Sequence, residues 1–291
     1  MPERLEITKT YKLYIGGKFP RSESGRSTVV RDAEWDAIAH VCHASRKDLR
    51  DAVKAARAAL NDWSSRDAYN RGQILYRMGE MLESKRHELE EALMRTLGLT
   101  QREAHDEVGE SVDRFVAYAG WTDKYTQVLG CANPVNGPYY NFTVPGPTGV
   151  VTVVPPDVPS LLALVSLLAP VIAGGNTAVA LSSETEPITA SILGEVCATS
   201  DVPPGVLNLL TGMRGELLPW IAEHRDINAV HAAGLDPDER KTLEMGAAEN
   251  VKRVLVRDEQ TDFFDDESCT SPYWIEPFIE MKTIWHPASS G

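Results

Sequence analysis

The stretch GVVTVVPPDVPSLLALVSLLAPVIAGGNTAVAL (149–181) decides the fold. Its first six residues form a fully apolar strand, residues 161–173 form a helix that Ser160 caps and a glycine pair ends, and residues 177–181 form a second apolar strand. Successive strands joined by a helix pair in parallel through a right-handed crossover. The stretch therefore predicts a βαβ unit whose strands are buried on both faces.

The same alternation continues downstream, whereas the chain upstream is mostly helical. Apolar residues recur at helical spacing between Leu49 and Ala119. Further strands are predicted over 206–210, 227–231 and 251–256, with helices beginning near Pro187, near Gly215 and at Pro237 behind an Asp236 cap. The predicted fold class is α/β: a helical amino-terminal part followed by a doubly wound, parallel, Rossmann-like sheet.

Two further segments have the pattern of strands outside this sheet. Residues 139–144 read as a strand, and the tail over 275–285 alternates apolar and polar side chains. Between the sheet and the tail, residues 257–272 are acidic and lack periodicity, so they predict a linker or a surface loop.

Composition and charge exclude several classes of function. The 291 residues include 42 Asp and Glu against 29 Lys and Arg, which gives a formal charge of −13. This is the wrong sign for binding nucleic acid or an anionic membrane surface. No apolar run reaches the roughly 20 residues that span a bilayer. Neither nucleic acid nor a membrane is expected as a partner.

The cysteines and the first residues bear on the compartment. The four cysteines are scattered without CxxC spacing, so neither a zinc site nor a disulfide framework is expected. No metal site is expected elsewhere. The opening MPERLEITKTYKLYIGGKF carries charges where a signal peptide needs an apolar run. A cytoplasmic location is therefore expected.

Several motifs resemble the NAD(P)-dependent aldehyde dehydrogenases. They are YIGGKF (14–19), DAVKAARAAL (51–60) with Trp63, GVVTVVPPDVPS (149–160), LAPVIAGGNTAVALSSE (168–184), PPGVLNLLTG (203–212), KTLEMGAAE (241–249) and, at the tail, EPFIEMKTIWHP (276–287). Nothing between the last two resembles the family's thiol-bearing catalytic domain, so that domain is expected to be absent. The pattern is most similar to the second, shortened repeat of two-repeat aldehyde dehydrogenases.

The resemblance implies a domain organisation. It consists of an aldehyde dehydrogenase-like nucleotide-binding domain (1–256) with an oligomerisation strand (139–150), an acidic linker (257–272) and a carboxyl-terminal oligomerisation strand (273–291).

The residues that match the family's catalytic groups are altered. Asp157 stands where the family has an asparagine that donates to the oxyanion, and an ionised carboxylate only accepts hydrogen bonds. Glu244 matches the general base but has no nucleophile to activate. Cys269 is the only candidate for the nucleophile in the carboxyl-terminal part of the chain. The acidic residues around it raise the pKa of a thiol, so a position in a surface loop is favoured over a role as nucleophile. No catalytic residue is expected.

The cofactor site is also reduced. Leu181-Ser182-Ser183-Glu184 replaces the family's Lys-Pro-X-Glu, and only Glu184, which resembles the ribose contact, remains. The turn 232–239 places carboxylates and a proline where a pyrophosphate would need free N–H groups at a helix start. No cofactor is expected, although Glu184 leaves NAD(P) binding open.

These observations lead to a hypothesis and an alternative. The hypothesis is a non-catalytic subunit, inactive alone, that pairs through strands 139–144 and 275–285 with a full-length aldehyde dehydrogenase and stabilises or regulates it; a homo-oligomer is left open. The alternative is a residual NAD(P)-binding oxidoreductase or a nucleotide sensor that uses Glu184.

Overall fold

The computed structural model describes residues 7–288, so the outer ends of the predicted first domain (1–6) and of the tail segment (289–291) lie outside the described residues. The strands are β1 (Lys9–Tyr11), β2 (Ser27–Arg31), β3 (Ala37–Cys42), β4 (Cys131–Asn133), β5 (Tyr139–Pro147), β6 (Val150–Val154), β7 (Thr177–Leu181), β8 (Leu207–Leu210), β9 (Ala229–Ala232), β10 (Arg253–Val256) and β11 (Ile279–Pro287). The helices are α1 (Arg46–Ser65), α2 (Ala68–Ser84), α3 (Arg86–Leu97), α4 (Gln101–Trp121), α5 (Tyr125–Leu129), α6 (Ser160–Ala173), α7 (Ile188–Thr199), α8 (Arg214–Glu223), α9 (Pro237–Asn250) and the short α10 (Asp266–Cys269).

The centre of the molecule is a five-stranded sheet with the order β10-β9-β6-β7-β8, in which every pair is parallel. Counting from β6, this is the strand order 5-4-1-2-3 of a doubly wound sheet, and the direction of winding reverses between β6 and β9. The predicted fold class is confirmed.

Helices cover both faces of this sheet because its strands are apolar on both sides. Val151 and Val153 of β6 belong to a core shared with α2, α4, α6 and α7, whereas Val150 and Val154 belong to a core shared with α1, α8 and α9. Burial on both faces is what a parallel sheet requires. A separate, smaller sheet has the order β1-β3-β2.

The predicted outer strands 139–144 and 275–285 pair with each other. They form β5 and β11, which run antiparallel from Ile279 opposite Pro147 to Pro287 opposite Tyr139, with β4 on the other side of β5. The predicted start of the tail strand at 275 is wrong. Two short 3-10 helices, Pro272–Trp274 and Glu276–Phe278, precede it, and each contains a proline, whose fixed φ suits a tight turn and which has no N–H for a sheet.

The segment 257–272 is mostly exposed, as its acidic composition predicts, but it is anchored to the core at a few residues. Phe263 and Cys269 are buried, and the fully buried Arg114 of α4 donates to the Phe263 carbonyl oxygen at 3.0 Å and to Asp266 Oδ1 at 3.0 Å. The Tyr118 hydroxyl donates to the Cys269 carbonyl oxygen at 2.8 Å. A few residues of this otherwise polar segment are buried and pack against α4.

The long helices are not membrane spans. Within residues 7–288, none combines the length and the apolar character needed to cross a bilayer.

Candidate functional site

The point where the sheet reverses direction lies between the carboxyl ends of β6 and β9. In open α/β sheets, ligands bind in the crevice outside the strand ends at this point. Here the loop after β6 carries Pro156 and Asp157, and the loop after β9 carries Gly234. The strand order thus identifies this crevice as the candidate site.

The two loops are in direct contact at one point. Gly234 has φ +63°, a conformation that favours glycine, and a Cβ on it would lie 2.6 Å from Pro156 Cβ. Real Cβ atoms do not approach so closely, which means that only a glycine allows this contact. The loop after β6 and the loop after β9 are therefore in contact at Pro156 and Gly234.

Arg214, at the start of α8, crosses the same crevice with a buried side chain. Its Nη1 donates to the Gly234 carbonyl oxygen at 3.1 Å and lies 3.7 Å from Glu239 Oε2. Its Nη2 lies 3.4 Å from Asp157 Oδ1. One guanidinium therefore links the loop after β6, the loop after β9 and the first turn of α9.

Asp157 joins the loops rather than facing an empty oxyanion site. Its Oδ1 accepts hydrogen bonds from the Glu184 backbone N–H at 2.7 Å and from the Ser183 hydroxyl at 3.2 Å. Together with the Arg214 contact, these bonds place Asp157 and Glu184 side by side. Asp157 and Glu184 were each identified as candidate site residues from the sequence. Arg214 was not, because its partners lie far from it in the sequence.

Glu184 is occupied as well. Its Oε1 accepts a hydrogen bond from the Arg214 backbone N–H, which is the first of α8. The free N–H groups at a helix start favour negative charge. The carboxylate that resembles the family's ribose contact therefore serves as the anion at the start of α8.

The start of α9 is filled as the sequence predicts. The Asp236 side chain accepts hydrogen bonds from the backbone N–H groups of Asp238 at 2.9 Å and Glu239 at 2.8 Å. Glu239 Oε2 in turn accepts from the Asp236 N–H at 3.0 Å, which completes a capping box.

The starts of α6 and α7 are filled by two buried acids that the sequence reasoning missed. Glu107 of α4 accepts hydrogen bonds from the Leu161 and Leu162 N–H groups at 2.8 and 3.3 Å. The prediction that Ser160 caps α6 is wrong, because its hydroxyl donates to Glu186 Oε2 at 3.1 Å instead.

Glu186 accepts hydrogen bonds at the start of α7. Its Oε1 accepts from the Ile188 and Thr189 N–H groups at 3.0 and 3.2 Å. Burial raises the pKa of Glu186 to about 7, and burial likewise raises the pKa of Glu107. The role of Glu186 could have been predicted from the sequence, because this residue lies two positions before the start of α7. The role of Glu107 could not, because its partners on α6 lie far along the chain.

The remaining candidates lie apart from the crevice contacts. Glu244 is exposed on α9 and forms an ion pair with Arg240 at 2.8 Å. Cys269 is fully buried, so its predicted surface position is wrong, and burial is the largest cause that raises the pKa of its thiol. The nearby Asp265 raises it further, whereas Arg114 lowers it. Burial thus suppresses the thiolate more than the predicted acidic surroundings do.

One feature is common to all these helices. Each helix that follows β6, β7, β8 or β9 in the sequence begins against a carboxylate of the chain itself, supplied in chain order by Glu107, Glu186, Glu184 and Asp236. Bound anions in α/β folds use these N–H groups. The arrangement supports a self-contained structural network, and it assembles no nucleophile with a base.

Known proteins with similar sequences cover most of this chain. The model of the aldehyde dehydrogenase family matches residues 19–257. Aldehyde dehydrogenase family 2 member B4, mitochondrial, of Arabidopsis thaliana is 32% identical over 250 residues, which are 84% of this chain and 46% of the relative. Human retinal dehydrogenase 2 is 33% identical over 260 residues, 87% of this chain and 49% of the relative.

Solved structures agree. The NAD+ complex of an aldehyde dehydrogenase from Bacillus cereus superposes with a TM-score of 0.80 at 27% identity and covers 85% of this chain and 50% of that chain. The chain spans about half the length of these relatives. The sequence resemblance is confirmed, and the chain belongs to the aldehyde dehydrogenase family.

Proposed function

We propose that this chain is a non-catalytic subunit that pairs with a full-length NAD(P)-dependent aldehyde dehydrogenase and stabilises or regulates it. One contrast carries the proposal. The loops at the sheet reversal are joined to each other by the chain's own side chains, whereas the β4-β5-β11 sheet leaves its outer strands without a neighbour among residues 7–288. The N–H donors at the helix starts of the crevice are engaged, whereas the edges of the outer strands are free to pair.

The filled helix starts support the non-catalytic part of the proposal. A nicotinamide dinucleotide carries a pyrophosphate, and its two negative charges need N–H donors or cations. Here Glu184 and Asp236 already accept hydrogen bonds from the backbone N–H groups at the starts of α8 and α9. The nearby cation, Arg214, forms ion pairs with Asp157 and Glu239. These residues do not fit the cofactor. One oxygen of Glu184 is engaged at the start of α8, which disfavours the alternative of a nucleotide sensor that uses this residue.

The outer sheet supports the pairing part. Met281, Ile284 and Trp285 of β11 and Tyr140 of β5 are large apolar residues that remain exposed. Exposed strand edges add readily to the sheet of another chain, and apolar neighbours strengthen such contacts. A full-length aldehyde dehydrogenase, about half of whose length this chain spans, is the partner we propose.

Affinity purification tests this proposal. A tagged chain expressed in its native host should co-purify a full-length aldehyde dehydrogenase, identified by mass spectrometry. Trp285→Asp should reduce its recovery at least about tenfold, because it places a charge in the apolar contact.

Tyr69→Asp is the matched control, since Tyr69 is an equally exposed aromatic residue on α2, outside the outer sheet, at 65% against 59% for Trp285. It should leave recovery unchanged. Absence of any aldehyde dehydrogenase, or equal loss in both variants, would count against the proposal.

A further inference from the structure

The outer edge of β11 has a defined free length. Within the described part of the chain no strand pairs with this edge, because β11 is the terminal strand of its sheet. At one end, the Ile279 carbonyl oxygen accepts a hydrogen bond from Arg253 Nη1 at 2.7 Å. At the other end, Pro287 has no N–H to donate. The free edge therefore runs from Glu280 to His286, and all of these residues are exposed.

This free edge has its midpoint at Thr283. If a second copy approaches in antiparallel direction with Thr283 opposite Thr283, residues equally distant from the midpoint face each other. Glu280 then faces His286, Met281 faces Trp285, and Lys282 faces Ile284, each pair occurring twice.

The facing residues are chemically complementary. Glu280, which pairs with Arg253 of its own chain at 2.9 Å, brings a carboxylate oxygen to the imidazole ring of His286, which offers a nitrogen donor. Met281 and Trp285 bring a thioether to an aromatic ring, and the Lys282 stem can lie along Ile284. Cross-strand pairs of this kind stabilise antiparallel sheets, and no like charges face each other. A strand of unrelated sequence would not match itself in this way.

We propose that β11 pairs with β11 of a second copy of this chain, with Thr283 on the two-fold axis. The two three-stranded sheets then form one continuous sheet of six strands. Such a two-fold contact is closed, so it gives a dimer and not a fibre. The proposal does not depend on the proposed function, but it uses the same edge, so the dimer must open before β11 can pair with a different partner.

Two substitutions at one position test the pairing. Ile284→Lys places lysine opposite Lys282 at two sites of the dimer, whereas Ile284→Glu places a carboxylate there, and both remove the same apolar side chain. The dimer dissociation constant, from analytical ultracentrifugation of the full chain, should be at least about tenfold weaker for Ile284→Lys than for Ile284→Glu. A monomeric wild-type chain, or equal constants for the variants, would overturn the proposal.

Cysteine trapping tests the register. In a Cys131→Ser background, which removes the exposed native thiol, Thr283→Cys should form a covalent dimer under mild oxidation because the two copies face each other. Met281→Cys should not, since the two residues lie about four strand positions apart, roughly 14 Å, and a disulfide needs about 6 Å between Cα atoms. Cross-linking of Met281→Cys as fast as Thr283→Cys, or of neither, would refute this register.

Discussion

Arg214→Ala is expected to lower the free energy of unfolding by about 2 to 4 kcal/mol. The substitution removes one buried guanidinium, which takes the nearby cation from Asp157 and Glu239 and the hydrogen-bond donor from the Gly234 carbonyl oxygen. Breaking one partner of a buried charge network costs several kcal/mol, and the value is reduced here because Asp157 and Glu239 remain partly in water. The backbone N–H that Glu184 accepts is unaffected, since alanine retains it.

Arg240→Ala provides the control for this prediction. Arg240 also pairs with a carboxylate at 2.8 Å, but both side chains are more than half exposed. Its loss should change stability by no more than about 0.5 kcal/mol. Denaturant titration followed by circular dichroism measures both variants. Equal effects would mean that Arg214 does not hold the loops of the crevice together.

Phe263→Ala is expected to cost about 3 to 5 kcal/mol of unfolding free energy, the range for deleting a buried aromatic side chain. Phe263 is 5% exposed, and its ring lies 6.4 Å from that of Trp274 in an edge-to-face contact. The backbone of the same residue accepts from Arg114. The ring therefore anchors the acidic segment to α4, and its removal leaves a cavity.

The adjacent residue is a matched control. Phe264 is 47% exposed, so Phe264→Ala should change stability by about 0.5 kcal/mol or less. If residues 257–272 were a mobile linker, the two phenylalanines would be equivalent. Similar midpoints for the two variants in thermal unfolding would therefore restore the linker interpretation.

Local patterns predicted the parts of the fold that local physics determines. The βαβ unit over 149–181 follows from apolar runs and glycines within a few residues of each other. The capping box of α9 follows from Asp236, Pro237 and Glu239, which lie within one turn. In both cases the interacting residues are neighbours in the sequence.

Long-range partners account for what the sequence did not predict. The donors at the start of α6 go to Glu107 of α4 rather than to the adjacent Ser160. Phe263 stands among acidic residues, and its burial depends on α4, far upstream. Glu184 was identified only through the family resemblance, and its actual partner, the Arg214 N–H, became visible only in the folded chain.

A calorimetric titration of the purified chain with NAD+ and with NADP+ tests the central claim most directly, namely that the chain's own carboxylates occupy the N–H donors that a nucleotide would need in the crevice. A full-length aldehyde dehydrogenase in the same buffer serves as the positive control. We expect no saturable heat for this chain at nucleotide concentrations up to the order of 1 mM. A saturable one-site isotherm that disappears in Glu184→Ala would contradict the account.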